Sequence, residues 1–144
     1  MTWPEDMITE RSQLMPPADP STIARAAERL GVRFPQDYLD FLHFADGGVL
    51  PGGTMIVYSA GTGIHASETL RAANEGRPSD FPVVLVARDG YEEYGFLKSE
   101  LAQLEEKDRS CPVYRFWHET ERIELIAPSF TDFVHWAIRR RREE

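Results

Sequence analysis

Leu30-Gly31-Val32-Arg33-Phe34-Pro35-Gln36-Asp37-Tyr38-Leu39-Asp40-Phe41-Leu42-His43-Phe44-Ala45-Asp46-Gly47-Gly48 is the stretch whose reading decides the fold. Pro35 suits the opening of a helix, because its fixed φ is helical and the N–H it lacks would go unpaired there. Behind it Tyr38, Phe41, Leu42 and Ala45 recur at three- and four-residue steps, which puts them on one buried helical face. Gly47-Gly48 is expected to end the helix, since glycine accepts the left-handed backbone of a helix C-terminus. Just upstream, Ile23, Ala27 and Leu30 mark one face of another helix. Asp19 or Ser21 can cap it, Pro20 suits its first turn and Gly31 stops it. Met15-Pro16-Pro17-Ala18-Asp19-Pro20 breaks the chain before that helix, after a first helix expected over about Asp6 to Leu14.

Downstream the texture changes. The stretch from Gly47 to Gly63 holds six of the ten glycines, with one short strand expected at Met55–Tyr58. Ser67 to Asn74 reads as a short helix ended by Asn74-Glu75-Gly76. Phe81–Ala87 is a buried-strand run turned by Asp89-Gly90, and Tyr94–Leu97 can pair back on it. A helix or loop around Leu101 and Leu104 follows. Pro112–Trp117 and Arg122–Ile126 then form a second antiparallel pair, turned at His118–Glu121. Last, Ser129-Phe130-Thr131-Asp132 can cap a helix whose Phe130, Phe133, Val134, Ala137 and Ile138 repeat with helical period. Arg139–Arg142 suits that helix's negative end and reads as a solvated terminus. The expectation is an α+β fold: N-terminal helices packed with a mainly antiparallel sheet and a closing C-terminal helix, in a single domain over residues 1–144 with its core from about Asp19 to Arg140.

Composition bounds the function. A chain of 144 residues, 42% hydrophobic and 11% aromatic, can build a core without metal or disulfide staples. No apolar run approaches the ~20 residues that span a bilayer, and the acidic start Met1-Thr2-Trp3-Pro4-Glu5-Asp6 lacks the features of a signal peptide. Cys111 is the only cysteine, so no internal disulfide forms; it is expected to be a small buried residue, and the reading is cytoplasmic. The formal charge of −8 argues against direct binding of nucleic acid, which needs clustered Lys and Arg. The charge is uneven. Residues 89–125 carry ten acids (Asp89, Glu92, Glu93, Glu100, Glu105, Glu106, Asp108, Glu119, Glu121, Glu124) against five bases (Lys98, Lys107, Arg109, Arg115, Arg122). Such a surplus either keeps the protein soluble or steers a basic partner.

Catalytic patterns are missing. His43, His65, His118 and His135 are 22, 53 and 17 residues apart, with no paired-ligand spacing. His118-Glu119-Thr120-Glu121 reads as a solvated turn. Ser59, Ser67 and Ser129 lack a nucleophile elbow. The glycine stretches Gly47–Gly53 and Gly61-Thr62-Gly63 lack the Lys-Ser/Thr of a phosphate loop and read as turns. Glu92/Glu93 and Glu105/Glu106 are adjacent, so neither pair converges on one site. No cofactor or metal is expected, and no enzymatic activity.

The opening stretch resembles the signature of the SUKH superfamily, a bacterial immunity-type and cell-wall-assembly-regulator-like group: a helix ending Leu-Gly, a Leu-Pro-x-Asp-Tyr helix start, Phe-Leu, a polar residue and Gly-Gly. Three later blocks look like the same family in the same order. They are Phe81-Pro82-Val83-Val84-Leu85-Val86-Ala87-Arg88-Asp89-Gly90, Cys111-Pro112-Val113-Tyr114 and Ile126-Ala127-Pro128-Ser129-Phe130-Thr131-Asp132-Phe133. In this reading Pro35, Tyr38, Phe41, Gly47, Gly48, Phe130 and Phe133 are the structural motif. The chain departs from the family pattern where Tyr91-Glu92-Glu93-Tyr94 precedes Gly95, and after Gly48, where an aromatic-rich strand is usual.

The resemblance implies an immunity protein that binds a cognate bacterial toxin, a basic nuclease domain by preference, and covers its active cleft with an acidic face. The expected partner surface is Asp89, Tyr91, Glu92, Glu93 and Tyr94, supported by Trp117, Glu119 and Glu121 where the hairpins are neighbours. No membrane partner is expected, and the chain is expected to be a monomer or weak homodimer. A regulatory scaffold for protein interactions is the first alternative. A small ligand-binding or hydrolytic protein, with His43 or His65 facing a cleft, is the second.

Overall fold

The computed structural model describes residues 8, 13–51, 53–61, 68–105 and 108–143. Helices α1 (Pro20–Leu30) and α2 (Gln36–Phe44) come first, then strands β1 (Gly48–Val49) and β2 (Ile56–Val57) and the short helix α3 (Leu70–Asn74). Strands β3 (Val83–Asp89) and β4 (Glu92–Leu97), the single turn α4 (Lys98–Leu101), strands β5 (Val113–Trp117) and β6 (Arg122–Ala127), and helix α5 (Phe130–Glu143) complete the chain. The six strands lie in sequence order, each antiparallel to its neighbour. The expected α+β arrangement is the one observed.

Local chemistry explains the elements. Asp19 caps α1 by accepting from the Thr22 N–H at 2.9 Å, while the Ser21 hydroxyl donates to the same carboxylate at 2.6 Å. Those two bonds hold the Asp19 carboxyl down at about 2. Gly31 closes α1 in the left-handed conformation at φ 69°. The buried face of α1 is Ile23 and Ala26, with Ala27 and Leu30 packed partly against the core.

Pro35 precedes α2 as expected, and Tyr38, Phe41, Leu42 and Ala45 are fully buried. Gly47 and Gly48 act differently from expectation. The helix ends at Phe44 on an extended Ala45, so the glycines cap nothing. Both have positive φ, and a Cβ on Gly47 would strike the Val57 carbonyl while one on Gly48 would strike the Gln13 carbonyl. They let three backbones meet where β1 begins. The helix expected over Asp6–Leu14 lies mostly outside the described residues; its end does not fit, because Leu14 bridges Gly48 as extended chain.

The core is an aromatic seam between one sheet face and helices α2 and α5. Tyr38 meets Phe130 at 4.9 Å and Phe96 at 5.5 Å between ring centroids, and Phe41 meets Phe130 at 5.5 Å. Tyr94 packs on Phe133 and Trp136. Such edge-on pairs add about 0.5–1.5 kcal/mol each beyond area burial. Phe130 and Phe133 lock the last helix onto the sheet, as their spacing suggested.

Two side chains start α5. The Ser129 hydroxyl oxygen accepts from the Asp132 N–H at 3.0 Å, and Asp37 of α2 accepts from both the N–H and the hydroxyl of Thr131 at 3.0 and 3.1 Å. A buried carboxylate thus ties the second helix to the last across 94 positions of sequence. Burial pushes its pKa above the ordinary value, against those bonds. Cys111 is buried among the core residues as expected, and burial with nearby carboxylates pushes its thiol up to about 11.

Candidate functional site

Antiparallel register brings the loops together. Glu93 of β4 faces Phe116 of β5, so the β3–β4 turn at Gly90-Tyr91 and the β5–β6 turn at 118–121 lie at the same end of the sheet. Ile56 faces Arg88, which adds the loop before β2, and the Thr54 hydroxyl donates to Asp89 at 2.5 Å. The two hairpins expected to cooperate are adjacent.

The expected partner residues separate into three groups. Tyr91 is 98% exposed at the hairpin tip, and Glu119 and Glu121 are exposed on the neighbouring turn with no ion pair among the described residues. Glu121 adopts φ 58°, the left-handed region that a residue with a Cβ enters at some cost. Asp89 closes the strand beside Tyr91.

The second group is held inside the molecule. Alternation on β4 sends Glu92 to the helix-covered face and Glu93 to the other. Glu92 accepts from the Tyr94 hydroxyl at 2.7 Å and from Arg115 Nη1 at 3.1 Å. Arg115 also donates through Nη2 to Glu124 at 2.6 Å, and that bond draws the Glu124 carboxyl below its usual range. Burial opposes charge on Arg115, yet the bonds to Glu124 and Glu92 raise its pKa. On the opposite face Glu93 accepts from the Tyr58 hydroxyl at 2.7 Å, lies 3.4 Å from Arg77 Nη2 and contacts His118 Nε2. Burial, then the bond to Glu93, pushes the Tyr58 hydroxyl well up. A depression of about 290 Å³ opens over this cluster beside Arg88 and Tyr91.

The third group is wholly or partly buried. Tyr94 is fully buried and belongs to the aromatic seam, because its even-numbered register faces α5; it cannot be a partner anchor. Trp117 is partly buried, with the Arg115 guanidinium 5.0 Å over its ring. The sheet end is therefore less acidic than the sequence suggested, since Glu92, Glu93 and Glu124 face arginines of the same chain.

Tyr58, Arg77 and Arg115 did not emerge from sequence. The pairing of Arg115 with Glu124 was accessible, because both lie equally far from the turn at His118–Glu121 and so face each other once the hairpin is accepted. Nothing local relates Tyr58 or Arg77 to Glu93. His118 leaves the solvated turn by contacting Glu93. His43 is exposed on α2; His65 and Ser67, with Gly52, Thr62 and Gly63, lie outside the described residues. Among the described residues no three or more His, Cys, Asp and Glu side chains are grouped to hold a metal ion, and no helix is long and apolar enough to cross a membrane.

A six-stranded meander with two helices on one face, and with the β1–β2, β3–β4 and β5–β6 turns at one end, defines an α+β module. The sequence matches the SMI1 / KNR4 family (SUKH-1) over residues 17–136, and the chain belongs to that family. Membership is consistent with immunity-protein or cell-wall-regulator roles. No curated protein matches the chain.

Proposed function

We propose that the chain is an immunity protein that binds a cognate bacterial toxin and covers its active cleft with the end of the sheet that carries the two hairpin tips. The observation that carries this reading is Tyr91, an aromatic side chain left 98% exposed on a two-residue turn. An exposed tyrosine is a rigid amphipathic anchor of the kind that dominates interface energies. Asp89, Glu119 and Glu121 flank it as an acidic rim, and the strained φ of Glu121 fits a turn shaped for contact rather than for stability.

The preferred partner is a basic nuclease domain. A cleft that receives phosphates is cationic, and an acidic rim speeds encounter with it. A standard inhibitor interface buries about 1,600 Å², wide enough to include the tip of the β5–β6 turn as well as Tyr91. Glu92 and Glu93 serve here as internal supports that fix the two hairpins relative to each other. Stoichiometric blocking needs no catalytic group, in keeping with a family whose members are generally non-enzymatic.

The test is co-expression with the product of the adjacent reading frame, scored by rescue from growth arrest and by a one-to-one complex. Glu119→Lys/Glu121→Lys is expected to slow association and flatten its salt dependence while leaving the fold intact. Failure of rescue and of complex formation removes the immunity role in favour of a regulatory scaffold. An unchanged on-rate in the double variant removes the acidic rim.

A further inference from the structure

A separate groove lies between α1 and α3. Thr22, Arg25, Ala26 and Arg29 fall on one face of α1 and form one wall of a groove of about 680 Å³. Arg71 and Glu75 of the α3 segment stand opposite, and Ala60, Gly61, Thr69 and Ala72 also line it among the described residues. A second depression of about 250 Å³ continues it and shares Arg29, Arg71 and Glu75, so the space is an elongated trough.

Its charge runs against the rest of the molecule. The chain has 24 acids and 16 Lys and Arg, yet three guanidinium groups converge here. Arg71 has Glu75 at 3.8 Å. Arg25 and Arg29 have no hydrogen-bond or ion-pair partner among the described residues. Arg29 sits in the last turn of α1, where a cation suits the helix dipole, while Arg25 one turn earlier adds a like charge that opposes the helix by about 0.2–0.5 kcal/mol. Asp46, which could have neutralised the cluster, is buried beneath and spent on the Ala60 and Gly61 N–H groups at 2.7 and 3.1 Å.

We infer that this trough binds an acidic peptide segment. The alanines offer a low floor along which an extended backbone can run, with carboxylates reaching the arginines on either wall. A nucleic-acid strand fits worse for two reasons. Among the described residues no aromatic side chain lines the trough to stack a base. Glu75, in the strip common to both depressions, would also face a phosphate backbone charged about every 3.4 Å, whereas a peptide places carboxylates only where arginines stand. This site goes beyond the toxin-docking role and does not rest on it.

The test uses fluorescence anisotropy on the full chain with a labelled peptide of alternating glutamate and alanine. Inorganic pyrophosphate and a single-stranded oligonucleotide of matched charge serve as competitors. Arg25→Gln/Arg29→Gln on one wall and Arg71→Gln on the other are read separately, each checked for unchanged circular dichroism. The expected result is salt-sensitive peptide binding that weakens about tenfold in the double variant and severalfold in Arg71→Gln. No binding, binding indifferent to both walls, or displacement by pyrophosphate or oligonucleotide at lower concentration than by unlabelled peptide overturns the assignment.

Discussion

The aromatic seam under α2 and α5 and the hairpin end of the sheet are built from similar residues by opposite rules. In the seam, Tyr38, Phe96, Phe130 and Phe133 pack edge-on or tilted against one another and against further buried rings such as Phe34 and Phe41. At the hairpin end Tyr91 contacts solvent while the carboxylates beside it are shared among arginines, a histidine and a tyrosine. The contrast teaches that packing and exposure are separated along the strands: Tyr94 and Phe96 of β4 enter the core, and Tyr91 at the tip stays outside it. The strongest way to break that contrast is Phe130→Ala. It should destabilise by about 3–5 kcal/mol, because the ring touches four aromatic neighbours and the site cannot collapse around the void. Urea unfolding checks it; a loss below about 1 kcal/mol would mean the seam is not where the stability lies.

A smaller effect is expected at Asp37, which connects the two helices of that seam. Asp37→Ala leaves the Thr131 N–H and hydroxyl without their acceptor and should cost about 1–3 kcal/mol. Asp37→Asn separates the charge from the bond. Because burial raises the native pKa above 3.8, the folded state holds the proton more tightly than the unfolded one. Below pH 3.8 both states are protonated and the wild type is at its best relative to the Asn variant. As pH climbs from 3.8 through the raised native value, the wild type loses ground to Asp37→Asn. Unfolding free energies of the two proteins across that window should converge or cross as pH rises; a constant difference would show that the carboxyl titrates normally.

How far each region was legible follows from the distance over which its physics acts. The seam was readable because helical spacing puts Tyr38, Phe41 and Leu42, or Phe130, Phe133 and Val134, on one face without reference to any partner. The strands of the two long hairpins were readable for the same reason, within one or two residues at their ends. Tyr94 was misplaced because Glu92 and Glu93 precede it, and only the parity of the register reveals that it faces α5 while Glu93 turns to the opposite face of the sheet. Glu92 and Glu93 read as free acids because their partners come from 23, 16 and 35 positions away, in Arg115, Arg77 and Tyr58. Strand β1 was hidden, since two residues of Gly-Val carry no period. The arginine trough was invisible for a further reason: Arg71 joins Arg25 and Arg29 only when α3 settles beside α1.

Tyr91→Ala sharpens the comparison from its weak side. A side chain 98% exposed has almost no native contact to lose, so the change in unfolding free energy should stay within about 0.5 kcal/mol. The same substitution should cost the complex with a cognate toxin about 2 kcal/mol or more, seen mainly in the dissociation rate, because an anchor acts after encounter and the acidic rim acts before it. Glu119→Lys/Glu121→Lys should show the reverse kinetic pattern, a change in association with dissociation little altered. On the proposed toxin-docking reading, the two variants would divide one surface into a part that holds and a part that attracts. If Tyr91→Ala destabilises the free protein by more than about 1 kcal/mol, the tip is packed in solution and belongs with the seam after all.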